Sequence, residues 1–152
     1  MAGIDAYLQS SKIECPAGTA QTMLQLVAAA NQRLVVDRIS ASFEGIANTD
    51  EPILIRIVRQ STAGTGGDAV TPYPADEGVD ETLTASGLED IDGGDPTETN
   101  LLWSELVHPQ GGFSWTPAMV GKEIKVKGGG RIAIEATADD AVDGVFRFEY
   151  EE

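Results

Sequence analysis

The amino-acid sequence predicts an all-β protein, an antiparallel β-sandwich that is jelly-roll-like and carries a long acidic loop excursion. In several short segments apolar and polar residues alternate with a period of two, which is the pattern of strands with one buried face. Gly, Pro, Asn or Asp ends each of these segments, and these residues favour turns. No strand–helix–strand alternation accompanies them, so neighbouring strands are expected to be antiparallel.

The clearest alternation lies in five segments. In VFRFEYE, the side chains of Phe146, Phe148 and Tyr150 share one face, and the charged side chains share the other. The other four segments are DRISASFEG, EPILIRIVRQ, EIKVKGGG and RIAIEAT. Each of them predicts a strand whose apolar side chains face a common core.

One segment, TAQTMLQLVAAANQRL, fits two structures. Its helix formers and the spacing of Met23, Leu24 and Val27 suit an amphipathic helix. The alternation of Leu24, Leu26 and Ala28 suits a strand instead. We favour the strand, because a turn at AANQ leads directly into the next predicted strand.

The length of 152 residues fits one domain, here residues 1–152. Residues 1–20 form an N-terminal arm or first strand, and residues 61–100 form the excursion, which is rich in Gly, Thr, Asp, Glu and Pro. Between Arg59 and Lys122 there are eleven Asp or Glu and no Lys or Arg. Such a long crossing connection suits the Greek-key paths of a jelly roll, and the sandwich core is expected to need neither the arm nor the excursion.

The net charge of −15 excludes several classes of partner. Ten Lys and Arg stand against 25 Asp and Glu, and no basic stripe occurs, so we expect no nucleic-acid partner and no adhesion to an anionic membrane. No signal-peptide-like or membrane-spanning run is present in the sequence. Cys15 is the only cysteine, which rules out an intramolecular disulfide and any multi-cysteine zinc site. A soluble protein from a reducing compartment is expected.

The only histidine, His108, is the first candidate for chemistry. A catalytic pair would need a positioned nucleophile, and the sequence contains no G-x-S-x-G elbow. A metal site of the cupin type would need several histidines. We therefore predict a loop residue before Pro109, no catalytic residue, no cofactor and no enzymatic activity.

The stretch LEDIDGGDPTE is the candidate for a metal. Asp90, Asp92 and Asp95 offer oxygen ligands around a Gly-Gly bend, and Ca²⁺ prefers such ligands. The spacing does not match an EF-hand loop, so a solvated loop is the interpretation we favour over calcium binding.

Three aromatic residues divide between core and surface. Trp103 lies in the apolar run NLLWSELV and is expected in the core. Phe113 and Trp115 flank Ser114 and should point to one face, where core packing is the default. Because Trp is enriched at interface hot spots, His108, Phe113 and Trp115 are also the interface candidates.

Several motifs together resemble small structural proteins of tailed bacteriophages, and the similarity covers most of residues 33–151. The motifs are Ser42-Phe43-Glu44-Gly45, Glu51-Pro52, Arg59-Gln60-Ser61-Thr62-Ala63-Gly64-Thr65, Val107-His108-Pro109 and Gly128-Gly129-Gly130-Arg131. The resemblance implies a jelly-roll virion protein, a capsid decoration (cement) protein that binds the major capsid protein on the outer shell at three-fold or quasi-three-fold sites as a trimer. It implies assembly in the host cytoplasm and no catalytic residues.

Two other function classes stay open at this point. A phage adhesin or fibre-tip domain that binds a surface carbohydrate would expose aromatic side chains in a groove, and calcium at Asp90, Asp92 and Asp95 would fit that role. An enzyme would depend on His108. For the decoration protein, residues 1–20 and 61–100 are the expected contacts with sister subunits or the shell.

Overall fold

The computed structural model describes residues 3–45, 51–78 and 80–152. Within these ranges the regular structure is all strand, and there is no helix long and apolar enough to cross a membrane. The strands are β1 (Asp5–Gln9), β2 (Ile13–Cys15), β3 (Gln21–Val27), β4 (Leu34–Phe43), β5 (Ile53–Gln60), β6 (Asp68–Val70), β7 (Tyr73–Pro74), β8 (Ser86–Ile91), β9 (Glu98–Val107), β10 (Gly112–Trp115), β11 (Ile124–Val126), β12 (Arg131–Thr137) and β13 (Val142–Glu151).

The strands form two antiparallel sheets. The first sheet has the order β10–β4–β13–β1–β7, with β11 also paired to β4 and β2 also paired to β13. The second sheet has the order β6–β8–β3–β12–β5–β9. The predicted all-β fold and the antiparallel sandwich are confirmed.

The pairing of the main strands is nested from the chain ends inward. β1 and β2 pair with β13, β3 pairs with β12, β4 pairs with β10 and β11, and β5 pairs with β9. Successive pairs fall alternately in the first and the second sheet. The chain therefore follows one long antiparallel hairpin that is wrapped around a common core, and its turning point lies between β5 and β9.

The core lies between the sheets and is built by the alternation read from the sequence. On β13, Phe146, Phe148 and Tyr150 are at most 1% exposed, whereas Arg147 and Glu149 between them are only half-buried. Phe146 makes an edge-to-face contact with Phe43 of β4, with ring centroids 5.8 Å apart. The period-two pattern thus predicted both the strand and its buried face correctly.

β3 shows why its segment was ambiguous. The register along β12 passes from the pair Ile134–Leu24 to the pair Glu135–Thr22, so Met23 is an extra residue. Such a bulge interrupts the alternation, and Met23 and Leu24 are both fully buried although they are consecutive. The prediction of a strand here is confirmed, and the apparent helical spacing came from the bulge.

Residues 3–20 are part of the sandwich, and the expectation that the core does not need the N-terminal arm is wrong. β1 lies between β13 and β7 in the first sheet. Leu8 and Cys15 are fully buried, and Ala6 and Ile13 are at most 8% exposed. Residues 1 and 2 of the predicted arm lie outside the described residues.

The excursion contains three short strands, β6, β7 and β8, whereas its composition predicted loops with one or two short strands. It lies at the turning point of the long hairpin, and β8 pairs with β3 while β7 pairs with β1. It therefore extends both sheets on the same side of the sandwich, where Ser11 N donates to Glu89 Oε2 at 2.7 Å. Its last residues, 98–100, already belong to β9. Val79 lies outside the described part of the chain.

Candidate functional site

His108 lies in the exposed turn that joins β9 to β10. Its Nδ1 accepts a hydrogen bond from the backbone N of Gln110 at 3.1 Å, and its backbone O accepts one from Gly111 N at 2.8 Å. The following residue, Pro109, is buried, and its carbonyl accepts a bond from Gly45 N at 2.8 Å. These bonds hold the turn together, so the side chain of His108 has a local structural role here.

The two aromatic interface candidates pack inward. Phe113 is 4% exposed and belongs to the core, so its prediction as an interface residue is wrong. Trp115, two residues on, is half-buried and packs against the same core. The prediction that the rings of Phe113 and Trp115 lie on the same face of the strand is correct. The position of β10 in the first sheet makes this the face toward the core.

The three candidate calcium ligands are not brought together. Within residues 3–45, 51–78 and 80–152, no three His, Cys, Asp or Glu side chains are placed to hold a metal ion. Asp90 has a positive φ of 50°, and its Oδ1 accepts a hydrogen bond from Gln21 Nε2 at 2.6 Å. Asp92 and Asp95 are exposed.

One side of the sandwich exposes large apolar side chains, and we call this surface the apolar edge. It consists of Leu101, Trp103, Leu106, Met119 and Val120, which are 45–98% exposed. The prediction that Trp103 lies in the core is wrong, because β9 is the outermost strand of the second sheet and no further strand covers its ring. Trp103 Nε1 donates to Glu105 Oε2 at 3.3 Å instead.

The apolar edge combines three residues of β9 with Met119 and Val120 of the loop between β10 and β11. β9 ends the second sheet, and β10 and β11 end the first. The short turn at residues 108–111 joins β9 to β10, and Arg59 Nη2 donates to the carbonyl of Lys125 in β11 at 2.9 Å. The two outermost strands therefore run along the same side, opposite the strands β6 and β7 of the excursion. An edge strand such as β9 also presents unpaired backbone groups.

A buried polar network lies on the outer face of the second sheet. Gln25 Nε2 donates to Gln60 Oε1 at 2.6 Å and to the carbonyl of Thr62 at 3.1 Å. Gln60 Nε2 donates in turn to Thr22 Oγ1 at 2.8 Å. Because Thr62 starts the excursion, these bonds fasten the excursion to the sheet, and they satisfy polar groups that would otherwise be buried without partners.

An ion-pair network continues from these amides. Arg56 Nη1 lies 2.8 Å from Glu135 Oε2, and the guanidinium also bonds both carboxylate oxygens of Glu98 at 2.9 Å. Burial raises the pKa of Glu135, and the charge of Arg56 opposes that shift. Arg56 thereby ties the start of β9 to the centre of the sheet. Sequence reasoning did not find either network, because the members of the first come from β3 and β5 and those of the second from β5, β9 and β12.

A groove lies on the outer face of the first sheet beside the excursion, and we call it the tyrosine groove. Its volume is about 530 Å³. Tyr7 and Tyr73 are direct partners in the pairing of β1 with β7, so their rings lie on the same face. The guanidinium carbon of Arg147 lies 4.2 Å from the centroid of the Tyr7 ring. The lining residues are Tyr7, Gln9, Ser10, Ser11, Ala69, Val70, Thr71, Tyr73, Glu89 and Arg147.

A second cleft, of about 410 Å³, lies at one end of the sandwich, and four of its ten lining residues are acidic. Lys12 Nζ bridges Glu44 Oε2 at 2.8 Å and Asp143 Oδ2 at 3.4 Å, and the hydrogen bond with Glu44 raises the pKa of Lys12. A hydrogen bond with Asp139 likewise raises the pKa of Glu51. These groups are exposed and screened by water, so they order the cleft only weakly.

Comparisons with known proteins give no relative for this chain. No protein-family model matches it, and no curated protein or solved structure matches it significantly. Two surfaces therefore stand out by their geometry alone: the apolar edge and, on the opposite side of the sandwich, the tyrosine groove.

Proposed function

We propose that the protein is a non-enzymatic structural protein of a tailed-bacteriophage virion, a decoration protein that binds the outer capsid shell as a trimer. The observation that carries the proposal is the apolar edge. Five of the six exposed large apolar side chains of the described residues lie there. Leu101 and Leu106 lie on one face of β9 and Trp103 lies on the other, so the exposed apolar side chains are concentrated along an edge of the domain. Such a concentration is typical of a surface that binds another protein.

The proposal includes a jelly-roll topology for the sandwich. A jelly roll is a long antiparallel hairpin whose paired strands alternate between two sheets. The nested pairing, with β1 against β13 and β5 against β9, supports this topology. The phage resemblance of the sequence motifs supports the assignment to a virion.

The charge distribution favours the major capsid protein as the partner at the apolar edge. Glu98 is already paired with Arg56, and Glu105 and Glu123 are further carboxylates on the strands and the loop of this side. A second copy of the chain would bring the same carboxylates and the same charge of −15, which repels it. A shell surface with apolar side chains and basic groups around them would be complementary.

A trimer adds strength to such a contact. One apolar edge offers a modest interface, and three linked copies at a three-fold site repeat it with a high effective concentration. Because residues 3–20 belong to the sandwich, the candidate contacts between sister subunits reduce to the exposed residues 75–78 and 80–82 of the excursion. The anchoring of each copy on the shell has to offset the repulsion between the carboxylates of these residues.

Two measurements test the proposal. Mass spectrometry of purified virus particles should find the chain at a copy number comparable with that of the capsid protein. Shells that lack the chain should then bind the purified protein in co-sedimentation, and Leu106→Ser should weaken binding because this side chain is 67% exposed on the apolar edge.

Tyr73→Ala is the matched control for co-sedimentation. Tyr73 is 57% exposed and lies on the opposite side of the sandwich, so its removal should leave shell binding unchanged. Absence of the chain from particles would refute the decoration role. Equal losses for the two variants would refute the apolar edge as the contact.

A further inference from the structure

We propose that the tyrosine groove binds a neutral oligosaccharide. Its volume of about 530 Å³ falls in the range of ~300–1,000 Å³ that is usual for small-molecule sites. It shares no residue with the apolar edge and lies on the other side of the sandwich. The inference therefore goes beyond shell binding and does not depend on it.

Tyr73 supplies the apolar platform of the groove. Its side chain is 57% exposed, and it is the one exposed large apolar residue of the described chain that lies away from the apolar edge. Tyr7 lies beside it in register. The C–H face of a sugar ring packs on an aromatic face, and a tyrosine adds a hydroxyl for a hydrogen bond.

Fixed polar groups surround this platform. Ser11 N and Ser11 Oγ donate to the two oxygens of Glu89 at 2.7 and 2.8 Å, which orients that carboxylate beside the groove. Arg147 stacks on the Tyr7 ring and lies 3.3 Å from Glu149, which orients its guanidinium. Each carboxylate oxygen of Glu89 has a further lone pair, so it can accept from a sugar hydroxyl. Groups held in place before binding lose little entropy when the ligand arrives.

Exposed polar side chains complete the donor and acceptor set. Gln9 and Thr71 are both exposed and line the same groove. An amide and a hydroxyl can each donate and accept, as the hydroxyls of a sugar do. The lining thus combines an aromatic surface with convergent hydrogen-bonding groups, which is the composition that a carbohydrate requires.

The local charge selects a neutral ligand. Arg147 is the only cation of the lining, and the carboxylates of Glu89 and Glu149 lie on or beside the groove. The whole chain carries a charge of −15. A sialylated or phosphorylated glycan would be repelled by this field, whereas an uncharged glycan would not.

The test uses the purified full chain on an array of neutral and sialylated oligosaccharides, followed by an NMR titration with the neutral glycan that binds best. We expect binding to neutral glycans, with chemical-shift changes at the residues of the groove. Tyr73→Ala should raise the Kd about three- to tenfold, as expected for the loss of one aromatic contact. Tyr73→Phe should retain most of the affinity, because the ring remains.

Met119→Ala is the matched control, because it also removes an exposed apolar side chain, at 63% exposure, but on the apolar edge. It should leave the Kd unchanged. The inference is overturned if no neutral glycan binds, if sialylated glycans bind better than neutral ones, or if the two alanine variants weaken binding equally. The assay contains no capsid protein, so its failure would leave the proposal of shell binding untouched.

Discussion

Replacement of Leu8 by Ala should strongly destabilise the fold, although Leu8 lies in the segment that the sequence suggested as a dispensable arm. Its side chain is fully buried between the sheets. Gly87 of β8 lies directly against it, since a Cβ at Gly87 would come within 2.5 Å of Leu8 Cδ1. The glycine has no side chain that could move into the vacated space, so most of the cavity should persist.

The structure predicts that Leu8→Ala lowers the free energy of unfolding by an amount near the upper end of the range for Leu→Ala changes in cores. Leu→Ala substitutions in cores cost about 2–5 kcal/mol, and the cost rises with the volume of the remaining cavity. For Leu8 we expect about 3–5 kcal/mol, a large part of the ~5–15 kcal/mol that usually stabilises a domain. Deletion of residues 1–12 would remove all of β1 and should unfold the protein.

Urea denaturation followed by circular dichroism and tryptophan fluorescence measures this effect. Gln9→Ala is the matched control, because Gln9 is the exposed neighbour on the same strand and should change the free energy of unfolding by less than about 0.5 kcal/mol. If Leu8→Ala costs no more than Gln9→Ala, then β1 does not belong to the cooperative core and the reasoning is refuted.

Three further predictions concern other buried groups. The thiol of Cys15 should react with thiol reagents only after denaturation, because the side chain is fully buried and burial raises its pKa to about 12; rapid reaction of the folded protein would contradict this. Gly87→Ala should lower the free energy of unfolding by about 1–3 kcal/mol in urea denaturation, because the added methyl group would clash with Leu8. An unchanged denaturation midpoint would exclude that contact. Burial raises the pKa of Glu135 in the folded protein, so protonation of this carboxyl favours folding. As the pH falls through the raised pKa, the free energy of unfolding of the wild type should therefore rise relative to that of Glu135→Gln. A difference that does not depend on pH would show that the shift is absent.

The two proposed binding surfaces lie on opposite sides of the sandwich. The apolar edge is formed where both sheets end, and the excursion builds the tyrosine groove where both sheets are extended. Substitutions at Leu106 and at Tyr73 should therefore separate the binding of a protein from the binding of a sugar. Both side chains are exposed, so neither change should lower the stability by more than about 0.5 kcal/mol.

The sequence by itself determined the strands β3, β4, β5, β11, β12 and β13 and most of their buried faces. Alternation is a local consequence of the extended backbone, so Phe146, Phe148 and Tyr150 could be assigned to the core without knowledge of any partner strand. The segment around Met23 was harder to read, because a bulge breaks the alternation and its presence depends on the pairing with β12.

Only the tertiary structure decided which strand lies outermost and which distant residues meet. Trp103 has the local sequence of a core residue, but the order of the second sheet leaves it at the edge. Tyr7, Tyr73 and Arg147 are far apart in the sequence, and the pairing of β1 with both β7 and β13 brings them together. The physical reason is that side-chain direction follows from the local backbone, whereas neighbours across a sheet follow from long-range pairing that no short segment specifies.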